Sequence, residues 1–342
     1  MEYKFSDRPR VLVVNMAFVG DVVLSTPLLK ALREKYPEAF IAFMGTPGPA
    51  ALLKGLPFLD KIIMYDKKGS ERGIKGIRQK SRQLKEMEFD MVISPHRSAR
   101  TAIILAMAGI ERRIGFASSD LPWLFHQQVR RDEGKHEVLR NLDLLGPLGG
   151  VPQGFEPELI LPKIGPPAPE VPGAGNGKLK IAISPGSEWK TKRWNPEGFA
   201  RAGRILKQEQ ASELYLLGME QDAGVAAEVE DFLKGEVINL TGKLSREALN
   251  RTLAAMDLLI TNDSAPAHIA SALRVPVVAV FGPTVPEQGF SPWQNWSRVA
   301  EVKGLSCRPC GKHGAARCPE GHFKCMELLK AEEVAAQAAE LL

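Results

Sequence analysis

The sequence predicts an α/β protein made of two parallel-sheet domains. Three observations carry that prediction. Short apolar runs alternate with amphipathic stretches along the whole chain, a Pro/Gly-rich interruption divides the alternation in two, and 342 residues exceed what one hydrophobic core usually organises.

The first half, residues 1–161, opens on VLVVN (Val11–Asn15), a continuous apolar run of strand length, followed by a loop and an amphipathic helix through LLKALREKY. FIAFMG, IIMYD and DMVISP read as further strands separated by helical stretches, and a helix around HEVLRNLDLL and a short ELIL run close this half. Parallel strands need long crossovers, usually helices, so this rhythm implies a parallel sheet. PKIGPPAPEVPGAGNGK, residues 162–178, holds five prolines and four glycines and reads as a linker. From residue 179 to 342 the rhythm restarts. KIAISPG, ELYLLG, VINL, LLITND and VPVVAVFG read as five strands, and MELLKAEEVAAQAAELL as a terminal amphipathic helix. Two Rossmann-like halves of this kind are expected to face each other across a cleft, with ligands outside the carboxyl ends of the strands.

Composition narrows the function classes. The chain has no apolar run of membrane-spanning length, and its first residues, MEYKFSDRPR, lack the apolar core of a signal peptide, so a cytoplasmic protein is expected. The net charge of +5 suits an anionic substrate or a loose contact with a membrane surface. With 7% aromatic residues and no basic stripe interleaved with them, nucleic acid is not an expected partner.

The strand-to-helix turns carry the candidate chemistry. In TNDSAPAH a strand ends and a helix begins at once. Pro266 suits the first helical turn, Asp263 or Ser264 suits the cap, and the amides around Ser264–Ala267 suit an anion, with His268 adding a hydrogen bond or a charge. Gly282–Pro283–Thr284 marks a second polar turn on the neighbouring strand. SPGSEWKTKRW, after KIAI, brings Ser187, Lys190, Lys192 and Arg193, a loop suited to a diphosphate. Glu220 and Asp222 follow the next strand, where an acid often meets ribose hydroxyls.

The first half has no G-x-G-x-x-G run. Instead NMAFVGDVVLSTP sets Asp21 at the tip of the first strand, as an N-cap or a general base. Arg97 and Arg100 in HRSAR, and Arg112 and Arg113 in IERRIGF, read as turn arginines able to grip oxyanions of an acceptor. Cys307, Cys310, Cys318 and Cys325 form a C-x2-C-x7-C-x6-C series for which structural zinc, disulfides and free thiols are all open readings.

Three of these blocks, VLVVNMAFVGDVVLSTPLLKALREKYPEA, SPGSEWKTKRWNPEGFA and ITNDSAPAHIASALRVPVVAVFGPT, resemble in content and order the hallmark blocks of the ADP-heptose:lipopolysaccharide heptosyltransferases, glycosyltransferase family 9. The resemblance runs over nearly the whole chain. It implies the two-domain GT-B architecture and an inverting, metal-independent transfer of heptose from ADP-heptose to a lipopolysaccharide inner-core acceptor. By position it implies that Asp21 is the catalytic base. Lys192 would hold the donor diphosphate, with Ser187 near phosphate. Glu220 would meet the adenosine ribose, and Asp263, Ser264, Ala265 and His268 would surround the sugar and phosphates. The family commonly has glycine where this chain has Ala265. The acceptor would meet Arg97, Arg100, Arg112 and Arg113, at the cytoplasmic face of the inner membrane through a peripheral contact. No cofactor is implied for the chemistry. Two other readings are a nucleotide-sugar epimerase of the same architecture and a non-catalytic nucleotide-binding relative.

Overall fold

The computed structural model describes residues 8–162, 177–293 and 295–342. The chain divides into two compact units, Met1–Lys163 and Ile164–Leu342. Most of the expected linker, residues 163–176, lies outside the described residues.

The first unit runs β1 (Arg10–Val14), α1 (Val19–Val23), α2 (Thr26–Lys35), β2 (Phe40–Gly45), α3 (Pro47–Ala51), β3 (Lys61–Met64), α4 (Gly73–Glu86), β4 (Met91–Ser94), α5 (Ala99–Met107), β5 (Arg112–Phe116), β6 (Gln127–Val129) and α6 (Glu137–Asp143). The second runs β7 (Leu179–Ser184), α7 (Pro196–Glu209), β8 (Ser212–Leu216), α8 (Ala223–Phe232), β9 (Ile238–Asn239), α9 (Arg246–Ala254), β10 (Leu258–Asn262), α10 (Ala265–Leu273), β11 (Val277–Phe281), β12 (Ser297–Glu301), α11 (Lys324–Glu327) and α12 (Ala331–Ala339).

Both sheets are six-stranded, and every pairing is parallel. Their orders are β3-β2-β1-β4-β5-β6 and β9-β8-β7-β10-β11-β12, so each unit repeats one doubly wound topology. In that topology the chain turns outward in opposite directions from two central strands, and the loops leaving them diverge to open a crevice. The switch points are therefore β1/β4 and β7/β10. Registers such as Val11↔Met91 and Thr261↔Ser184 place the ends of each central pair level.

The central strands are apolar throughout because helices cover both faces. Leu12, Val14, Val92, Ile104 and Phe125 belong to the core of the first unit. Ile181, Trp194, Phe199, Ile260 and Val334 belong to that of the second, where the Trp194 and Phe199 rings meet edge-on at 5.0 Å. Each such fully buried side chain contributes about 1.5–3 kcal/mol. Local signals fix the helix starts: Asn195 accepts the Gly198 amide at 2.5 Å with Pro196 as the first helical residue of α7, and Ser245 caps α9.

Several elements depart from the sequence reading. β5, β6 and β12 were not expected, because RRIGF, QQV and SRVAE carry little apolar periodicity; β6 and β12 are edge strands, where polar residues are tolerated. ELIL forms no strand, although Leu159 and Leu161 are buried. The terminal segment is two helices, α11 and α12, rather than one.

Candidate functional site

In the second unit the tips of β7 and β10 are stapled together. Thr261 Oγ1 donates to the Ser184 carbonyl at 2.9 Å. The Asn262 amide donates to the Pro185 carbonyl at 2.8 Å and accepts the Trp194 N–H at 2.9 Å. One buried side chain thus fixes both ends of the Pro185–Trp194 loop. Asp263 follows, anchored through its N–H to the Val280 carbonyl at 2.8 Å. Its Oδ2 accepts from Lys192 Nζ at 2.5 Å and from Thr284 Oγ1 at 2.6 Å. Three turns, after β7, β10 and β11, therefore converge on one carboxylate. Lys192 has three donors, and Asp263 engages one of them.

Asp263 is spent on that ion pair and caps nothing. Ser264 is the cap residue of α10 but makes no side-chain cap, its Oγ donating instead to the Asn262 carbonyl at 3.2 Å. The first-turn amides of α10 are thus uncovered by any capping side chain, the arrangement that attracts anions. Ala265 is half-buried at the first helical position, and His268 is buried one turn in. Ser187 is buried, its carbonyl accepting Arg193 Nε at 2.8 Å. Glu220 opens a short 3-10 turn (Glu220–Asp222) after β8 and is exposed beside Gly242. Asp222 lies against Gly186, where any Cβ would collide with its carboxylate, so the β7 turn needs glycine there. Burial pushes the Asp222 carboxyl above its ordinary range.

The cysteine-rich segment braces these turns. Thr191 N–H and Oγ1 both bond the Ala315 carbonyl, Cys310 N–H bonds the Pro283 carbonyl, and Arg308 donates to the Thr284 carbonyl at 2.7 Å and to Glu301 at 2.9 Å. His313 stacks on Trp189 at 6.0 Å. Of the three readings left open for the cysteines, structural zinc is not supported: among the described residues no group of three or more His, Cys, Asp or Glu is placed to hold a metal, and no disulfide links the four cysteines. Cys325 packs in the hydrophobic core, and burial pushes its thiol up to about 11.

In the first unit Asp21 lies in α1 just beyond the tip of β1. Its Oδ2 accepts the Phe18 N–H at 3.2 Å, and Asn15 holds the Asp21 carbonyl through Nδ2 at 3.1 Å. Burial raises the Asp21 carboxyl to about 6, with the Glu137 charge adding to the rise, while backbone N–H bonds and Arg131 oppose it. Glu137, not singled out in the sequence, is gripped by Arg131 at 3.0 and 2.6 Å and by Arg140 at 3.2 Å. Those three side chains are 10% exposed or less, so this is a buried ion network rather than a solvated charge run. Asn141, one turn after Glu137, donates to the Leu24 carbonyl at 3.2 Å and holds α6 against the α1–α2 corner. The signal available in the sequence was the charge-dense RRDEGKHEVLR, whose composition alone does not tell a surface from a buried network.

At the tip of β4, His96 pairs with Thr101 Oγ1 at 2.6 Å and is lowered to about 4 by burial and by the Lys67 and Arg97 charges, so it is neutral near pH 7. Lys67 Nζ donates to the Met16 carbonyl at 2.8 Å, and Arg100 donates to the Lys67 carbonyl at 3.3 Å. These contacts bring the loop after β3 across the tip of β1. Arg97, Arg100 and Lys67 thus share the carboxyl edge with Asp21. Arg112 and Arg113 do not. They begin β5, level with Met91 at the amino edge, and are bonded to Gln127, Pro147, Ile110 and Leu124.

Comparison with known proteins agrees with this geometry. The model of glycosyltransferase family 9 (heptosyltransferase) matches residues 77–320. The chain is 30% identical over 332 residues to lipooligosaccharide heptosyltransferase 2 of Campylobacter jejuni, covering 95% of this chain and 96% of that one. A glycosyl transferase family 9 structure from Veillonella parvula superposes with a TM-score of 0.85 at 24% identity, covering 99% and 98% of the two chains. The E. coli ADP-heptose lps heptosyltransferase II structure gives 0.75 at 22%, covering 97% and 98%. Two doubly wound units with polar switch points, matched over nearly their whole length, make this chain a glycosyltransferase and a member of glycosyltransferase family 9.

Proposed function

We propose that this glycosyltransferase moves a heptose from ADP-heptose to an inner-core acceptor of lipopolysaccharide, with inversion and without a metal ion. The observation that carries the reading is the pairing of chemistries on one topology: a raised carboxyl, Asp21, at the first switch point, and Lys192 beside the α10 N-terminus at the second. The names of the Campylobacter relative and of the E. coli structure supply heptose and ADP-heptose.

Residues 1–161 would hold the acceptor and 179–342 the donor. Asp21, about nine-tenths ionised at pH 7 with its pKa near 6, takes the proton of an acceptor hydroxyl. The freed oxygen attacks the anomeric carbon opposite the leaving group, and the bond from that carbon to the diphosphate oxygen breaks. Lys192, the α10 amides and His268 stabilise the charge that develops on ADP, and Ser187 and Glu220 meet phosphate and ribose. Arg97 and Arg100, joined by Lys67, are the acceptor cations of this reading; Arg112 and Arg113, engaged at the amino edge, are not. No helix of the described residues is long and apolar enough to cross a membrane, so acceptor at the cytoplasmic face of the inner membrane would be reached by a peripheral contact.

The test is calorimetric titration with ADP, UDP and GDP in chelator, then turnover with ADP-heptose and acceptor. Selective ADP binding and an inverted product in chelator are expected. Preference for UDP, or release of free sugar without acceptor, would instead indicate a different donor or an epimerase.

A further inference from the structure

The inward and outward faces of α4 are charged in opposite senses of purpose. Lys80 points inward and is fully engaged, donating to the Met64 carbonyl and Gln83 Oε1 at 2.7 Å each and pairing with Glu71 at 3.0 Å. Asp66 is likewise turned onto the loop amides of Gly69 and Ser70 at 2.9 Å. The local acids are thereby consumed inside. Outside, Lys75, Arg78, Arg82 and Lys85 follow the i, i+3, i+7, i+10 spacing of one helical stripe, all exposed. The stripe is about 15 Å long at ~1.5 Å per residue. Glu86, at its far end, is the only acid in the helix.

Lys68 and Arg72, in the loop that precedes α4, are exposed as well, and none of the six cations makes an ion pair or a side-chain hydrogen bond with the described residues. Two large apolar side chains are exposed on these elements, Ile74 in the first turn of α4 at 69% and Met64 at the end of β3 at 46%. Their place is fixed. A Cβ at Gly76 would collide with the Glu71 carbonyl, so the 66–71 loop closes directly onto the first turn of α4. That loop sits at the carboxyl edge, where Lys67 reaches the tip of β1.

We propose that this face of α4, with Ile74 and Met64, docks the first unit on an anionic phospholipid surface. The inference rests on the peripheral-contact reading above and supplies the surface for it. Four exposed cations in one band, with two more in the loop before it, are complementary to anionic headgroups, each adding to the attraction within a Debye length of the surface. The exposed apolar pair suits the interface just below them. The stripe has no aromatic residue, unlike surfaces that stack unpaired bases. Docked this way, the carboxyl edge with Asp21 lies at the end of the stripe that carries the apolar anchor, where a lipid-linked acceptor emerges.

The experiment is co-sedimentation of the whole chain with vesicles of phosphatidylethanolamine containing a minority of phosphatidylglycerol, against phosphatidylcholine alone. Binding only to the anionic vesicles, weakened by salt, is expected. K75E/R78E/R82E/K85E should lose at least about tenfold in vesicle affinity, because like charge replaces attraction along the stripe. K234E/K303E/K312E/K330E, an equal charge change on exposed lysines of the second unit, should keep it. ADP titration of the same variants reads folding and the donor site independently. Vesicle loss with intact ADP binding supports docking through α4, whatever the acceptor proves to be. Equal loss in both variants, no vesicle binding by the parent chain, or stripe-dependent binding to duplex DNA in place of vesicles would overturn it.

Discussion

The two units share a strand order and differ in what they do with an aspartate at the switch point. In the second, Asp263 is satisfied twice over, by Lys192 and by Thr284, and serves as a fixed post that holds a cation at the β7 turn. In the first, Asp21 accepts the Phe18 amide at 3.2 Å and has no cation bonded to it among the described residues, and desolvation together with the Glu137 charge holds its proton up to about 6. The same residue type, after the first central strand in one unit and after the second in the other, is a scaffold at β10 and, in the proposed reaction, the base at β1. What separates them is the neighbouring helix: α6 brings Glu137 toward Asp21, whereas the β7 loop brings Lys192 to Asp263.

Substitutions can break this contrast. Asp21→Asn should have the largest effect, lowering kcat by about 10²–10⁴ with little change in KM, since the base acts on the proton in transit. Steady-state kinetics check it, and a loss in KM alone would remove Asp21 from the chemistry. Lys192→Ala should weaken ADP binding about ten- to hundredfold, measured calorimetrically, while leaving the Asp21-dependent limb of the pH profile unmoved.

Asn262→Ala should cost about 2–3 kcal/mol of stability by orphaning the Pro185 carbonyl and the Trp194 N–H, read as a lowered denaturation midpoint. Glu137→Gln sharpens the comparison most finely. Removing the anion that helps raise Asp21 should move the acidic limb of kcat/KM to lower pH by a fraction of a unit. A limb that stays in place would assign it to another group.

The raised carboxyl also has a stability signature. Asp21 has an ordinary value of 3.8 and a folded value of about 6, so between them the folded state binds more protons than the unfolded one. Stability therefore falls as pH rises through that window, by up to about 3 kcal/mol once both states are ionised. Asp21→Asn should accordingly raise the melting temperature at pH 7 and leave it nearly unchanged at pH 4.

Much of this was legible in the sequence because parallel strands buried on both faces announce themselves as apolar runs: β1, β2, β4, β7, β8, β10 and β11 were all readable. The turns after β1, β7 and β10 were readable for a related reason, since Gly20–Asp21, Lys190–Arg193 and Asn262–His268 interrupt those runs with polar residues. What escaped depended on tertiary placement. Arg112 and Arg113 looked like turn arginines because nothing local says that they begin a strand at the opposite edge. Glu137, Arg131 and Arg140 were not singled out, because a buried ion network has the same composition as a surface. The C-x2-C spacing suggested a metal, yet the fold sends Cys325 into the core and uses the intervening loop to brace Thr191 and Thr284.

The Lys192–Asp263 pair has a consequence for turnover. In the proposed reaction the arriving diphosphate meets not a bare ammonium but one that already has a counter-ion at 2.5 Å. The net attraction is that of a neutralised pair plus the oriented amides of α10, so grip on a fully charged leaving group stays moderate. In the proposed reaction spent nucleotide is held well enough to depart from the sugar and loosely enough to vacate the pocket, and the aspartate sets that compromise without touching the ligand.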